Sequence, residues 1–134
     1  MPARYLLDTN TASYVIKGNF PRVREHLLKL SMSEVAISVV TEAELRFGAA
    51  RKPEARNLQI AVEEFLLRLE SQPWDSEAAK CYANLRADLE RRDQPIGNFD
   101  LMIAAQALAQ GLTLVTHDQV FRRVKSLRIQ DWTI

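Results

Sequence analysis

At 134 residues, 47% of them hydrophobic, the chain is long enough to bury about two-thirds of the surface its unfolded form exposes. It is expected to form one domain over residues 1–134, without a disulfide or metal staple; Cys81, the only cysteine, reads as a small buried apolar residue in a helical pattern. Eighteen lysines and arginines against 17 acids leave a net charge of +1, which excludes a global pull toward nucleic acid, so any such contact must come from local basic clusters. No segment approaches the ~18 uninterrupted apolar residues of a membrane span and no basic start precedes a long apolar run, so no membrane association and a cytoplasmic location are expected.

Residues 4–7 predict a short buried strand, stopped by Asp8-Thr9-Asn10, three residues that favour turns and helix caps. A short helix follows through Tyr14, Val15 and Ile16, with Gly18-Asn19 as its stop. Pro21 restarts a helix in which Val23, Leu27, Leu28 and Leu30 make one face. The β-branched run Val35–Ser38 predicts a second strand. From Val39 the spacing turns helical, with Ala43, Phe47 and Ala50 on one face, until Arg51-Lys52-Pro53 breaks it. Pro53 starts a further helix marked by Leu58, Ala61 or Val62, Phe65 and Leu69. Ser76 opens another, carrying Ala78, Tyr82, Leu85 and Leu89, and Gln94–Asn98 is a loop. Leu101, Ala104, Ala107 or Leu108 form a small-residue stripe ending at Gly111; residues 112–115 are a third strand, Gln119–Val124 a short helical turn, and Leu127–Trp132 a last strand or extended tail. Strands alternating with helices, and no hairpin signals, predict an α/β, three-layer α/β/α domain with a short central parallel sheet.

In this frame four acids stand beside element ends: Asp8 after the first strand, Glu44 just beyond the second, Asp100 at the start of an apolar helix, and Asp118 just after the third strand. Open parallel sheets place their chemistry at such ends. Three or four carboxylates suit a hard cation such as Mg²⁺ or Mn²⁺, which takes oxygen ligands and assists attack on a phosphodiester. Taken singly, each acid serves equally well as a helix cap, a turn residue or a surface charge. No cysteine–histidine spacing supports zinc, and no glycine-rich phosphate loop is present.

The acids lie inside longer patterns. Leu6-Leu7-Asp8-Thr9-Asn10, Ile37–Gly48 with Glu44-Leu45-Arg46-Phe47-Gly48, Pro95-Ile96-Gly97-Asn98-Phe99-Asp100, and Leu114-Val115-Thr116-His117-Asp118 resemble, in order, the four signature segments of PIN-domain ribonucleases. The likeness is strongest to VapC-type toxins of bacterial toxin–antitoxin modules and spans Leu6 to the Asp131-Trp132 tail. It implies a Mg²⁺- or Mn²⁺-dependent endoribonuclease with Asp8, Glu44, Asp100 and Asp118 as catalytic acids and Asp8 and Asp100 on the metal. Thr116 and Asn10 would support them. The Glu-Leu-x-x-Gly pattern selects Glu44 over Glu42, about 200° away around the helix. Relatives often carry an acid directly before the phenylalanine of the last segment, where this chain has Val120-Phe121, leaving Asp118 as the carboxylate there. The resemblance gives His117 no role as a base, so it is expected to face solvent; His26 is expected to be structural.

Two basic clusters flank these acids: Arg122, Arg123, Lys125 and Arg128 near Asp118, and Arg86, Arg91 and Arg92 before the loop to Asp100. Of these, Arg86, Arg122 and Arg123 are the candidates for substrate phosphates. The resemblance implies an RNA substrate, with transfer RNA the class, and a VapB-type antitoxin partner, operator DNA being bound only through the toxin–antitoxin complex. Surplus apolar residues on the helices of 40–51 and 54–70 fit a homodimer or a groove for a partner helix. The alternatives are a non-catalytic PIN-fold module binding RNA or protein, which the presence of all four acids disfavours, and a phosphoacceptor receiver domain. A receiver needs paired acids after its first strand, and Asp8-Thr9-Asn10 lacks them.

Overall fold

The computed structural model describes residues 2–134. Its strands are β1 (Tyr5–Leu7), β2 (Val35–Ser38), β3 (Glu70–Gln72), β4 (Thr113–Val115) and β5 (Ile129–Gln130). Its helices are α1 (Thr9–Lys17), α2 (Pro21–Leu28), α3 (Val39–Ala50), α4 (Arg56–Arg68), α5 (Ser76–Arg91) and α6 (Asn98–Gln110), with 3-10 turns at Met32–Glu34 and Gln119–Arg123. All strand pairs are parallel, in the order β3-β2-β1-β4-β5.

Alternation along the strands splits the core in two. Leu6, Ala36 and Leu114 face α5, α6 and the second 3-10 turn, packing with Leu89, Leu101, Ala104 and Phe121. Leu7, Val35, Ile37 and Val115 face α1–α4, packing with Ala12, Leu45, Val62, Phe65 and Trp132. His26, half-buried, stacks on Trp132 of this second core, 5.3 Å between ring centroids. The three layers are those the strand–helix alternation predicted.

The chain leaves β1 for β2 and β3 in one direction and then crosses to β4 on the other side of β1. The sheet order therefore reverses between β1 and β4, and the crevice at the carboxyl ends of those strands is where open α/β sheets bind ligands.

Several local expectations are corrected. Strand β3 was not anticipated, and the helix read as running to residue 70 ends at Arg68. Glu70-Ser71-Gln72 is a polar edge strand held by its backbone to Ala36–Ser38, so it carries no hydrophobic signal. Pro53 does not start a helix: the Ala55 amide donates to the Lys52 carbonyl across it, making Pro53 the second residue of a β-turn, and Gln59 ties the Lys52 and Pro53 carbonyls. Helix α3 buries Thr41, Leu45 and Ala49 rather than Ala43, Phe47 and Ala50, and Phe47 is 63% exposed. Leu28, read on one face with Val23, Leu27 and Leu30, is 81% exposed while Val23 is buried. Cys81 is only half-buried. Gly111 ends α6 at φ 67°, a left-handed conformation in which its amide reaches back to close the helix.

Candidate active site

Strand β1 delivers Asp8 into the crevice as the cap of α1. One oxygen, Oδ1, accepts from the Thr11 amide at 2.8 Å, and the other, Oδ2, accepts from Thr116 Oγ1 at 2.6 Å. The Asp8 amide donates to the Val115 carbonyl and Thr11 Oγ1 does the same, so the end of β4 is stitched to the start of α1. Asp8 is 3% exposed. Burial raises its pKa, hydrogen bonds from Thr116 and Thr11 offset part of that, and the charge of Asp118 adds to the rise.

Thr116 is the hinge of the arrangement. Its hydroxyl donates to Asp8 and accepts from the Asp118 amide at 3.0 Å, fixing the two acids relative to one another. Asp118 caps the 3-10 turn that follows, accepting from the Val120 amide through Oδ1. Glu44 enters from α3. Its Oε1 accepts from Thr9 Oγ1 at 2.6 Å; with that proton committed, Thr41 is the donor in the 3.1 Å contact between the Thr41 and Thr9 hydroxyls. Asp100 comes from the first turn of α6, and its pKa is pushed up to about 6, first by burial and then by the charges of Asp8, Asp118 and Glu44. Asp8, Asp118 and Glu44 thus all act on Asp100 at the switch point, and Asp118 acts on Asp8. None makes an ion pair with a lysine or arginine among the described residues.

Other residues separate from this cluster. Glu42 pairs with Arg46 at 2.8 Å, and that hydrogen bond holds its pKa below the ordinary carboxylate range. His117 is exposed, with Nδ1 2.8 Å from Asp131 Oδ2. Asn10 is exposed and lines a small cavity with Thr9 and Glu44. Glu44 is held by Thr9, which Thr41 holds in turn, and sequence reasoning missed both; the signal was available in Thr9, next to Asp8, but a threonine after a strand is also an ordinary cap residue.

The basic residues divide. Arg86 is engaged by Glu90 and the Tyr82 hydroxyl. Arg91 and Arg92 pair with Asp88, and Arg92 also donates to the Arg123 carbonyl. Arg123 donates to the Pro95 carbonyl and Arg128 to that of Gly111. Arg122 and Lys125 stand exposed beside a cavity that reaches Asp118.

A doubly flanked parallel sheet whose switch point gathers unpaired carboxylates defines an α/β protein with an anionic, oxygen-lined site. Among known proteins, the PIN domain family matches residues 5–127. A tRNA(fMet)-specific endonuclease VapC of Salmonella typhimurium is 40% identical over 132 residues, 96% of this chain and 98% of that protein. Ribonuclease VapC2 of Rickettsia felis is 34% identical over 130 residues, 96% and 97% of the two chains. The crystal structure of VapBC2 from Rickettsia felis bound to a promoter DNA fragment has a TM-score of 0.88 at 33% identity, covering 96% of this chain and 98% of that one. The chain belongs to the PIN-domain family and, within it, to the VapC ribonucleases.

Proposed function

We propose that this chain is a divalent-cation-dependent endoribonuclease that hydrolyses RNA phosphodiester bonds, with Asp8, Glu44, Asp100 and Asp118 as its catalytic acids. One observation carries the reading: Asp8, Glu44 and Asp118 bear on Asp100 at the switch point with no lysine or arginine among the described residues paired to any of them, and burial together with those charges lifts Asp100 to about 6. Such a charge deficit suits a bound cation.

The donor set fits Mg²⁺ or Mn²⁺, being all oxygen. No three histidine, cysteine or carboxylate groups among the described residues lie close enough to enclose an ion on their own, so a cation here would be held by one or two carboxylates with waters completing its shell. Asp8 and Asp100 are the residues that would hold it. Bound there, it would neutralise charge on the phosphodiester and make a water more acidic.

The chain's own residues do the rest. Asp8, with both oxygens hydrogen-bonded, is a rigid anchor that keeps acceptor capacity for a ligand. Glu44 has Oε1 fixed by Thr9, which leaves Oε2 free to orient the attacking water and accept its proton. Thr116 holds Asp118 at the rim through its amide. Transfer RNA is the substrate class, a reading supported by the tRNA(fMet)-specific relative.

The partner is a VapB-type antitoxin, and operator DNA is bound only through the joint complex, as the DNA-bound VapBC relatives support. A groove of about 490 Å³ between α1, α2 and α4, with Val15, Ile16, Leu27, Leu28, Phe65 and Leu69 in its walls, suits an apolar partner helix. Outward-facing Phe47 on α3 and Ile60 and Leu67 on α4 are left for a homodimer contact.

The decisive experiment incubates purified protein with total RNA in EDTA, Mg²⁺ or Mn²⁺ and maps the new ends. Cation-dependent cuts within transfer RNA are expected. Undiminished cleavage in EDTA, or by both Asp8→Asn and Asp100→Asn, would overturn the mechanism.

A further inference from the structure

Of the seven basic residues flanking the acids, five are committed to side chains or carbonyls of the fold, and Arg122 and Lys125 have no such partner among the described residues. Both line one cavity of about 370 Å³. Thr116 and Asp118 form part of its wall, and Thr116 is the residue bonded to Asp8, so the cavity shares a wall with the acidic crevice. It lies on the β4–β5 side, whereas Glu44 enters from the β2 side. The remaining lining includes Val124, Leu127 and Ile129, which are apolar, and Asp131, which His117 and Thr133 hold in place.

The volume is at the small end of ligand pockets, roughly 300–1,000 Å³, and suits one nucleotide rather than a helix or a duplex. Part of the lining matches a nucleotide, with Arg122 and Lys125 as uncommitted cations for a phosphate and Leu127 and Ile129 as an apolar wall for a base, beside the carboxylates of Asp118 and Asp131. Arg122 in the 3-10 turn and Lys125 just after it, exposed and without an internal partner among the described residues, are available for a ligand at no cost of breaking an ion pair.

We propose that this cavity is a subsite for a single nucleotide of the RNA next to the scissile phosphate, with Arg122 and Lys125 on a phosphate and the base against Leu127 and Ile129. It rests on the ribonuclease reading of the crevice. Phosphate contacts of this kind position the strand and make binding salt-dependent, while the base wall gives a local preference.

The test uses full-length protein with labelled Ile, Leu and Val methyl groups, in EDTA, titrated separately with AMP, CMP, GMP, UMP and inorganic phosphate and followed by NMR. At least one nucleotide should shift the Leu127 and Ile129 methyls while leaving Val23 and Val62, on the opposite face of the sheet, unmoved; inorganic phosphate should not reproduce the shift. The double variant Arg122→Gln/Lys125→Gln should abolish it. On a single-stranded RNA substrate that variant should raise KM about tenfold with kcat little changed, and flatten the salt dependence of log KM by roughly 0.7, the share of one neutralised phosphate on a single strand. No methyl shift with any nucleotide, full reproduction by inorganic phosphate, or an unchanged KM and salt slope would overturn the proposal. Nucleotide shifts that persist while Asp100→Asn still cleaves RNA would instead count against the catalytic reading alone and leave the subsite standing.

Discussion

Asp100→Asn should make the cation-free protein more stable while abolishing cleavage. The Asp100 pKa stands at about 6 against an ordinary 3.8, because burial and the charges of Asp8, Asp118 and Glu44 disfavour its ionised form. At 1.36 kcal/mol per unit that shift corresponds to about 3 kcal/mol; Asp100 keeps part of its contact with water, and solvent screening brings the figure to roughly 1–2 kcal/mol. The sign follows from proton binding. Between the two values the folded state holds more protons than the unfolded one, so stability falls as pH rises. The penalty is absent below about 4 and complete above about 6–7. Asparagine keeps the shape and removes the charge, so at pH 7.5 in EDTA the variant should melt roughly 3–8 °C above wild type, and the gap should close by pH 4. Millimolar Mg²⁺ should also narrow it, by stabilising wild type alone. Thermal melts across pH, with and without Mg²⁺, measure all of this. A variant that melts at or below the wild-type temperature at pH 7.5, or a gap that does not change with pH, would refute the account of the site as a charge deficit.

Thr116→Val removes the donor to Asp8 Oδ2 and the acceptor for the Asp118 amide at a buried position. It should cost about 1–3 kcal/mol in a urea titration and lower RNA cleavage at least tenfold; an active variant of unchanged stability would remove Thr116 from the site. Thr9→Val frees Glu44 Oε1 and should lower kcat more than stability, with Thr9→Ser restoring activity, as a cleavage assay beside a melt will show. Gly111→Ala must hold a side chain at φ 67° and should lose about 1 kcal/mol by urea titration with cleavage unaffected, although the added methyl meets nothing within 4 Å.

The readable parts of this fold and the hidden ones differ for physical reasons. Strands β1, β2 and β4 lie in the middle of a parallel sheet covered on both faces, so they appear in the sequence as short continuous apolar runs. Strand β3 lies at an edge and is held by backbone hydrogen bonds, which leave no mark on residue type. The inner face of α3 was misread because it carries Thr41, whose hydroxyl is used against Thr9. A polar residue turned inward for a purpose breaks the hydrophobic period that locates a buried face. The motifs marked the four acids and Thr116, which bonds Asp8, but not Thr9 and Thr41 behind Glu44, since a threonine at an element end has several ordinary uses.

Capping and catalysis looked like competing explanations for Asp8 and Asp118 when each was taken alone, and the geometry removes the competition. A carboxylate offers about four acceptor positions. The cap takes one oxygen of Asp8 through the Thr11 amide and one of Asp118 through the Val120 amide. What remains is acceptor capacity on a side chain whose orientation the cap has already fixed. Helix starts at the carboxyl ends of parallel strands therefore do two things with one residue: they end the strand and begin the helix in a short space, and they present a held oxygen to the crevice. Asp100 carries no such cap, and α6 begins at Gly97 without a side-chain hydrogen bond. Burial and the charges of Asp8, Asp118 and Glu44 together raise the Asp100 pKa with no side-chain hydrogen bond among the described residues to offset them, so Asp100 is where a cation would relieve the cluster.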